Sequence, residues 1–203
     1  RVVAIQSAAS LVDSFNYIDT QLKQIQGNLG NEINVTTSQI NSILKQIADL
    51  NKQIQAIEPN AYIPNDLYDA RDLLVDELNE YIPISIERVA SGGNASDVAE
   101  GSYTITFKPM NGSDSIILVH GKEYAQISIN GDQGQINGNE SSNVFTDMTI
   151  DWTGSSTTDV SNVTGDLPTE NEVSYEQFEG SKGKLLSLID SYGYIAEDGS
   201  TKG

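Results

Sequence analysis

Acidic side chains crowd the stretch NDLYDARDLLVDELN, residues 65–79, which contains a single arginine, Arg71. Asp69, Asp72 and Asp76 follow the spacing of one helix face, where carboxylates could gather a divalent cation. Calcium, however, takes six to eight oxygen ligands from a folded loop, and a helix face supplies too few. We therefore interpret these carboxylates as the hydrated face of a structural helix and predict no metal site there.

Arg71 is the more informative residue of this stretch, because no acidic residue lies three or four positions from it. It therefore has no salt-bridge partner in its own helix, and we expect it to reach another element as a clamp between the helices and a sheet. Asn65 or Asp66 is expected to cap the helix N-terminus, and Asp66 and Asp69 suit the positive end of the helix dipole.

No other cluster in the sequence has the composition of an active site. His120 is the only histidine and there is no cysteine, which excludes thiolate metal ligands and cysteine nucleophiles. The segment GSKGKL at 180–185 lacks the first glycine of a phosphate-binding loop. The segment NGDQGQINGNE at 130–140 has Gly134 where a calcium loop requires Asp or Asn. We predict a protein without catalytic residues, cofactor or enzymatic activity.

The charge balance limits the partners further. The chain has 29 acidic against 11 basic residues and a net charge of −18. Such a surface repels phosphate backbones and anionic lipids, so we expect neither a nucleic-acid nor a membrane partner. No signal-peptide pattern stands at the start. The sequence begins inside an apolar pattern and stops shortly after DGST, and we expect it to be a piece of a longer protein.

The elements that carry these residues follow from hydrophobic spacing. Residues 3–57 show two successive a/d repeats, which predict one long helix of roughly 75–80 Å at 1.5 Å per residue. The repeats consist of Leu11, Phe15, Ile18, Leu22, Ile25 and Leu29, and of Ile33, Thr36, Ile40, Ile43, Ile47, Leu50, Ile54 and Ile57. Their registers meet beside Gly27 and Gly30, where we expect a bend or local fraying.

A second helix over 65–81 is expected to fold back antiparallel on the first, since Pro59 ends the long helix. Its apolar stripe consists of Leu67, Ala70, Leu74, Leu78 and Tyr81. After Pro83 the period changes to two, and the candidate strands are Ile84–Val89, 103–107, 115–120, 124–130 and 146–152. Elsewhere between 131 and 180 we expect long exposed loops rather than core. GKLLSLIDSYGYI then predicts a short helix that ends near Gly193.

These patterns predict an α+β fold, in which a long coiled-coil-like helical hairpin or bundle carries a mostly antiparallel, β-rich outer domain. We predict a helical rod domain at 1–83 and an acidic, loop-rich outer domain at 84–180. The short returning helix, within 181–203, is expected to pack on the helical domain.

Three stretches resemble a known family: INSILKQIADLNKQI at 40–54, PNDLYDARDLLVDELNEYIPISI at 64–86 and GKLLSLIDSYGYI at 183–195. Together they are similar to the flagellar hook-associated protein 1 family, the bacterial hook–filament junction proteins. The residues that match the family's motifs and serve as its structural signature here are Asn41, Leu50, Asn51, Asn65, Asp66, Leu67, Asp69, Arg71, Asp72, Gly183 and Leu185.

The resemblance implies a non-enzymatic, ring-forming component that joins the flagellar hook to the filament. Its implied partners are the hook protein, neighbouring copies of itself and the filament-side junction protein, with an export chaperone at termini absent here. It implies an extracellular location on the flagellum, reached without a cleaved signal peptide. This piece alone is expected to be a monomer.

Two alternatives remain open from the residues. Another extracellular coiled-coil protein, such as an adhesin stalk or a phage tail fibre, would sustain one heptad register and form trimers. An acidic calcium-dependent binding module would release or absorb heat on calcium addition. The register break and the fold-back helix favour packing within one chain over the fibre alternative.

Overall fold

A computed structural model describes residues 2–109, 115–138, 143–152, 170–196 and 199–202 of the chain. The fold is α+β, as predicted, with one very long helix, a helix folded back on it and two sheets. The helices are α1 Val2–Ile57, α2 Asn65–Tyr81, α3 Tyr175–Phe178 and α4 Lys184–Tyr192. The division into the three predicted domains remains a prediction.

The helix α1 runs through Gly27 and Gly30 without a break, so the expected fraying there is wrong. Packing explains the glycines instead. A Cβ on Gly30 would lie 2.9 Å from the Gly138 Cα and 3.2 Å from the Tyr192 ring. Only a residue without a side chain allows the loop at Gly138 to approach the helix this closely.

The helix α2 lies antiparallel on α1, since Gln39 bonds to Glu77 while Asn51 bonds to Arg71. It begins directly after Pro64 without a side-chain cap, so the capping predicted for Asn65 or Asp66 is wrong. The predicted stripe is also shifted. The buried residues of this face are Tyr68, Arg71, Val75, Leu78 and Ile82, whereas Ala70 is exposed and Leu67, Leu74 and Tyr81 are half-buried.

The strands form two mostly antiparallel sheets. The first has the order β1 Ile84–Val89, β2 Ser102–Phe107, β3 Ile116–His120 and β4 Glu123–Tyr124. The second has the order β10 Thr201–Lys202, β9 Tyr194–Ile195, β7 Phe145–Asp151, β5 Gln126–Gly131 and β6 Gly134–Gln135, and β8 Glu170–Ser174 also pairs with β7. The strand predicted at 124–130 is thus two strands in different sheets, because the chain crosses between them at the buried Ala125.

One hydrophobic cluster joins the helices and both sheets. It includes Ile40, Ile43 and Ile47 of α1, Phe107 of β2 and Met148 of β7. The strand predicted at 146–152 is confirmed as β7, whose Phe145 and Ile150 are fully buried. The expectation of loops rather than core elsewhere between 131 and 180 is wrong for β8, whose Val173 is fully buried. Residues 153–169 lie outside the described part.

The short helix α4 ends at Tyr192, directly before Gly193, as predicted. It packs on α1 through Tyr192 beside Gly30 and through a 2.6 Å ion pair between Lys184 and Glu32. Gly183 begins it with φ +136°, where a Cβ would lie 2.4 Å from the Tyr81 carbonyl oxygen. The start of α4 can therefore contact the end of α2 only with glycine at this position.

Candidate functional site

Arg71 is fully buried at the place where α1, α2 and β2 meet. Its guanidinium donates hydrogen bonds to the Gly101 carbonyl at 2.6 Å, to Asn51 Oδ1 at 3.1 Å and to the Glu100 carboxylate at 2.9 Å. It also lies 3.4 Å from the centre of the Tyr103 ring, a close cation–π contact. The side chain thus connects α2 to α1, to β2 and to the loop before β2.

Two asparagines of α1 bind the sheets with their amides. Asn51 accepts a hydrogen bond from the Tyr103 N–H and donates to the Tyr103 carbonyl, both at 3.0 Å. It also donates to the Gly121 carbonyl at 2.8 Å. Asn41 repeats the arrangement with the N–H and carbonyl of Ile127, both at 2.8 Å. Each amide therefore pairs with one strand residue as a neighbouring strand would, and holds a different sheet on α1.

A buried carboxylate, Glu58, shares the hydrogen-bond partner Gly101 with Arg71. Glu58 is fully buried at the end of α1 and accepts hydrogen bonds from the hydroxyls of Tyr68 and Ser91 and from the Gly101 N–H at 2.9 Å. A buried carboxylate is tolerated when donors satisfy its oxygens. Glu58 therefore ties α2 and two loops to the point where α1 ends.

The tyrosines of the network are held in their neutral form. Burial, and then the hydrogen bond to Asp72, raises the pKa of Tyr103 to about 12. Burial and the bond to Glu58 likewise raise the pKa of Tyr68 above its ordinary value. The Tyr103 hydroxyl lies 2.9 Å from Asp72 and 3.0 Å from Glu100, so it is a hydrogen-bond donor to both carboxylates. We call the set Asn51, Glu58, Tyr68, Arg71, Asp72, Glu100 and Tyr103 the junction network.

The residues singled out from the sequence lie in different surroundings. Asn51, Arg71 and Asp72 meet in the junction network, and Leu185 is buried in the core. Leu50 and Leu67 are half-buried, and Asn65, Asp66 and Asp69 are exposed. Sequence reasoning missed Glu58, Tyr68, Glu100 and Tyr103. A signal for Glu58 was its position at the end of a hydrophobic repeat, one turn after the buried Ile54.

The N-terminal half of α1 forms a second surface of interest. We call the part of its first a/d repeat that runs from Leu11 to Ile25 the open seam. Its members Leu11, Phe15, Ile18, Leu22 and Ile25 are 52–62% exposed. Packing against the rest of the chain begins near Gln26, which donates to the Asn143 carbonyl at 2.8 Å. A coiled-coil pattern normally marks a surface that packs on another helix. Among the described residues, only the end of α4, at Ser191 and Tyr192, comes near the open seam, beside Leu22 and Ile25.

Within the part of the chain that the structure describes, no three His, Cys, Asp or Glu side chains are grouped so as to hold a metal ion. His120 instead lies 3.1 Å from the Thr104 hydroxyl in the first sheet. Among those same residues, no helix has the length and apolar character needed to cross a membrane.

The fold and the junction network define an extended α+β structural module, braced around one helix whose first half is open. The sequence profile described as the flagellar hook-associated protein FlgK helical domain matches residues 1–195. The chain belongs to this family, which confirms the resemblance seen in its motifs.

Individual relatives agree with this assignment. The chain is 36% identical over 205 residues to flagellar hook-associated protein 1 of Bacillus subtilis strain 168, covering all of this chain and 35% of that protein. It is 35% identical over 107 residues to the Salmonella typhimurium protein of the same name, covering 52% of this chain and 19% of the relative. The chain thus spans about a third of the first relative and a fifth of the second.

A solved structure has the same fold. The flagellar hook junction protein FlgK from Burkholderia pseudomallei aligns with a TM-score of 0.61 and 22% identity, over 92% of this chain and 27% of that one. At this identity the likeness establishes the fold.

Proposed function

We propose that this chain is part of a non-enzymatic junction protein that joins the flagellar hook to the filament. The observation that carries the proposal is the open seam on α1, in a chain that belongs to the hook-associated protein family. A helix that is sealed into a rigid body at one end and presents an unpaired coiled-coil surface at the other is suited to assembly with further helices. The family assignment indicates which assembly this is.

The junction network and Asn41 have a mechanical role in this proposal. A component between two tubes transmits load along its long axis, so the hairpin and sheets must not slide along α1. Arg71, Asn51 and Asn41 oppose such sliding because each side chain on the hairpin is bonded to the backbone of a sheet or of the loop before it. The motif residues of this family are accordingly proposed to be structural, with no catalytic role.

The proposed partners are the hook protein, neighbouring copies and the filament-side junction protein. An export chaperone would bind outside this sequence. The proposed location is extracellular, on the flagellum, after export without a cleaved signal peptide. The surface suits this setting, since a net charge of −18 keeps an exposed protein soluble.

The test replaces the whole protein in motile cells by a variant with Phe15→Asp and Ile18→Asp. Both side chains are more than half exposed, so the variant is expected to fold like the wild type. We expect hooks without filaments and release of filament protein into the medium. Gln24→Asp, on the opposite side of the helix, is the matched control and should leave filaments intact.

Labelling of the whole wild-type protein in the same cells tests the location directly. The label should mark the boundary between hook and filament. Normal filaments in the seam variant, or a label elsewhere on the cell, would contradict the proposed function.

A further inference from the structure

Two charged stripes lie on opposite flanks of the helical hairpin. The residues Leu50 of α1 and Leu74 of α2 line one groove between the helices and so mark a common level. Lys45 and Lys52 are five residues before and two residues after Leu50, and both are exposed. Asp69 and Asp76 have the same two offsets from Leu74 and are also exposed. We call these pairs the lysine flank and the aspartate flank.

The offsets turn both flanks away from the groove. At about 100° per residue, side chains five before and two after a reference residue lie about 140° and 160° around the helix from it. The lysine flank therefore points away from α2, and the aspartate flank points away from α1. Neither flank has an ion-pair partner among the described residues.

The two flanks match in spacing and in level. Each spans seven residues, or about 10.5 Å at 1.5 Å per residue. Because the helices are antiparallel, Lys45 and Asp76 lie on one side of the common level and Lys52 and Asp69 on the other. At 1.5 Å per residue, Lys45 is displaced by about 4.5 Å along the helix axis from Asp76, and Lys52 is displaced from Asp69 by the same distance in the same direction. The flexible lysine side chain can span this distance.

The charges around the flanks agree with a complementary contact. Between residues 33 and 57, α1 carries two lysines and one acidic residue, Asp49, which lines the groove and lies four residues after Lys45 and three before Lys52. The helix α2 carries six acidic residues, and its one arginine is buried. Two copies of a chain with net charge −18 repel one another over most of their surface, but not where a lysine flank meets an aspartate flank.

We propose that the lysine flank of one copy binds the aspartate flank of the next, as the lateral contact between neighbouring copies. This proposal rests on the proposed junction function. The contact is head-to-tail, with different surfaces on the two partners, and such contacts close into rings when the rotation permits. Exposed ion pairs bind weakly in isolation, so the contact forms only where assembly holds the copies at high local concentration.

Cysteine cross-linking tests the contact, since this sequence contains no cysteine. The whole protein, with any cysteine elsewhere changed to serine, receives Lys52→Cys and Asp69→Cys together and is assembled into flagella. A short bismaleimide should then give a ladder of dimers, trimers and higher multimers. Either single variant should give no dimer, because the contact never brings like residues together. Lys23→Cys with Asp69→Cys is the matched control and should give no ladder, because Lys23 lies on α1 far from the lysine flank.

Charge exchange supplies an independent readout. Lys45→Asp with Lys52→Asp, or Asp69→Lys with Asp76→Lys, should cause loss of filaments under mild shear. The four substitutions together should restore them, which a merely structural role of these exposed residues would not do. A single-cysteine variant that forms dimers, or junction-located protein that gives no ladder, overturns the lateral contact. In the second case the proposed function stands, whereas it falls if the protein is absent from the junction.

Discussion

The two halves of α1 have the same hydrophobic spacing and opposite surroundings. From Ile33 to Ile54 the repeat is buried by α2, α4 and both sheets, except at the half-buried Leu50, and Ile43 and Ile47 are fully inaccessible. From Leu11 to Ile25 the repeat is the open seam, where Phe15 is 62% exposed. The spacing therefore predicts a helix and the face on which it packs, but it does not say whether the packing partner belongs to the same part of the chain.

Polar residues distinguish the halves better than apolar ones. The sealed half contains Asn41 and Asn51, whose amides bond to strand backbones, and ends at the buried Glu58. In the open half, the side-chain bonds of Ser14 and Thr20 stay within the helix itself. Polar groups with fixed partners specify one arrangement, whereas an apolar seam accepts any complementary helix.

The sharpest test of this contrast compares two isoleucines of the same repeat type. Ile43→Ala should lower the free energy of unfolding by about 4 kcal/mol, because it removes a fully buried side chain and leaves a cavity. Ile18→Ala, at a 52% exposed position, should change it by less than about 0.5 kcal/mol. Urea unfolding of the purified chain measures both. Equal effects would mean that the open seam is covered in the isolated chain.

Arg71→Ala should have the next largest effect. It removes a buried cation and leaves Glu100, Asn51 and the Gly101 carbonyl without their donor. Breaking a buried ion pair in this way lowers the free energy of unfolding by about 3 kcal/mol, with a lower thermal midpoint. Leu73→Ala, on the exposed side of α2, is the control. An unchanged melt of the arginine variant would remove the clamp role.

Asn51→Ala should be somewhat milder. The substitution leaves the N–H and carbonyl of Tyr103 and the carbonyl of Gly121 without partners in a fully buried place. Unsatisfied buried groups of this kind lower the free energy of unfolding by about 2 kcal/mol. Asn41→Ala should have less effect, since water can reach its half-buried site. The reverse order in denaturant unfolding would show that the second sheet depends more on α1 than the first.

The smallest expected effect is a dependence on alkaline pH. The pKa of Tyr103 is raised from 10.0 to about 12 in the fold. Its contribution to stability is therefore complete below pH 10 and is lost as the pH rises toward 12, because the unfolded chain releases this proton first. Tyr103→Phe should flatten the loss of thermal midpoint between pH 10 and 12. A slope identical to that of the wild type would exclude a role for this hydroxyl.

Much of the fold could be predicted from residue spacing. The long helix, the fold-back helix, α4 and the α+β class follow from helical and alternating periods, and Arg71 was recognised because its own helix offers it no acidic partner. The predicted buried face of α2 was shifted by one position. A hydrophobic pattern does not count a charged residue such as Arg71 as core, yet the junction network buries it.

The other differences arise from long-range contacts that no local pattern contains. The amides of Asn41 and Asn51 find strand residues 86 and 52 positions away. The split at Ala125 depends on two sheets that exist only in the folded chain. Gly27 and Gly30 predicted a weak point in α1, whereas at Gly30 the missing side chain is the reason that the loop and α4 can pack there.

Hydrogen exchange of α1, followed by mass spectrometry, tests the central claim most directly. In the purified chain, amides of 33–57 should be strongly protected and those of 5–25 should exchange many times faster, since they lie in a helix without tertiary packing. In flagella assembled from the whole protein, 5–25 should become protected as well. Equal protection of the two halves in the purified chain, or no gain in 5–25 on assembly, would contradict a helix that is sealed at one end and open for assembly at the other.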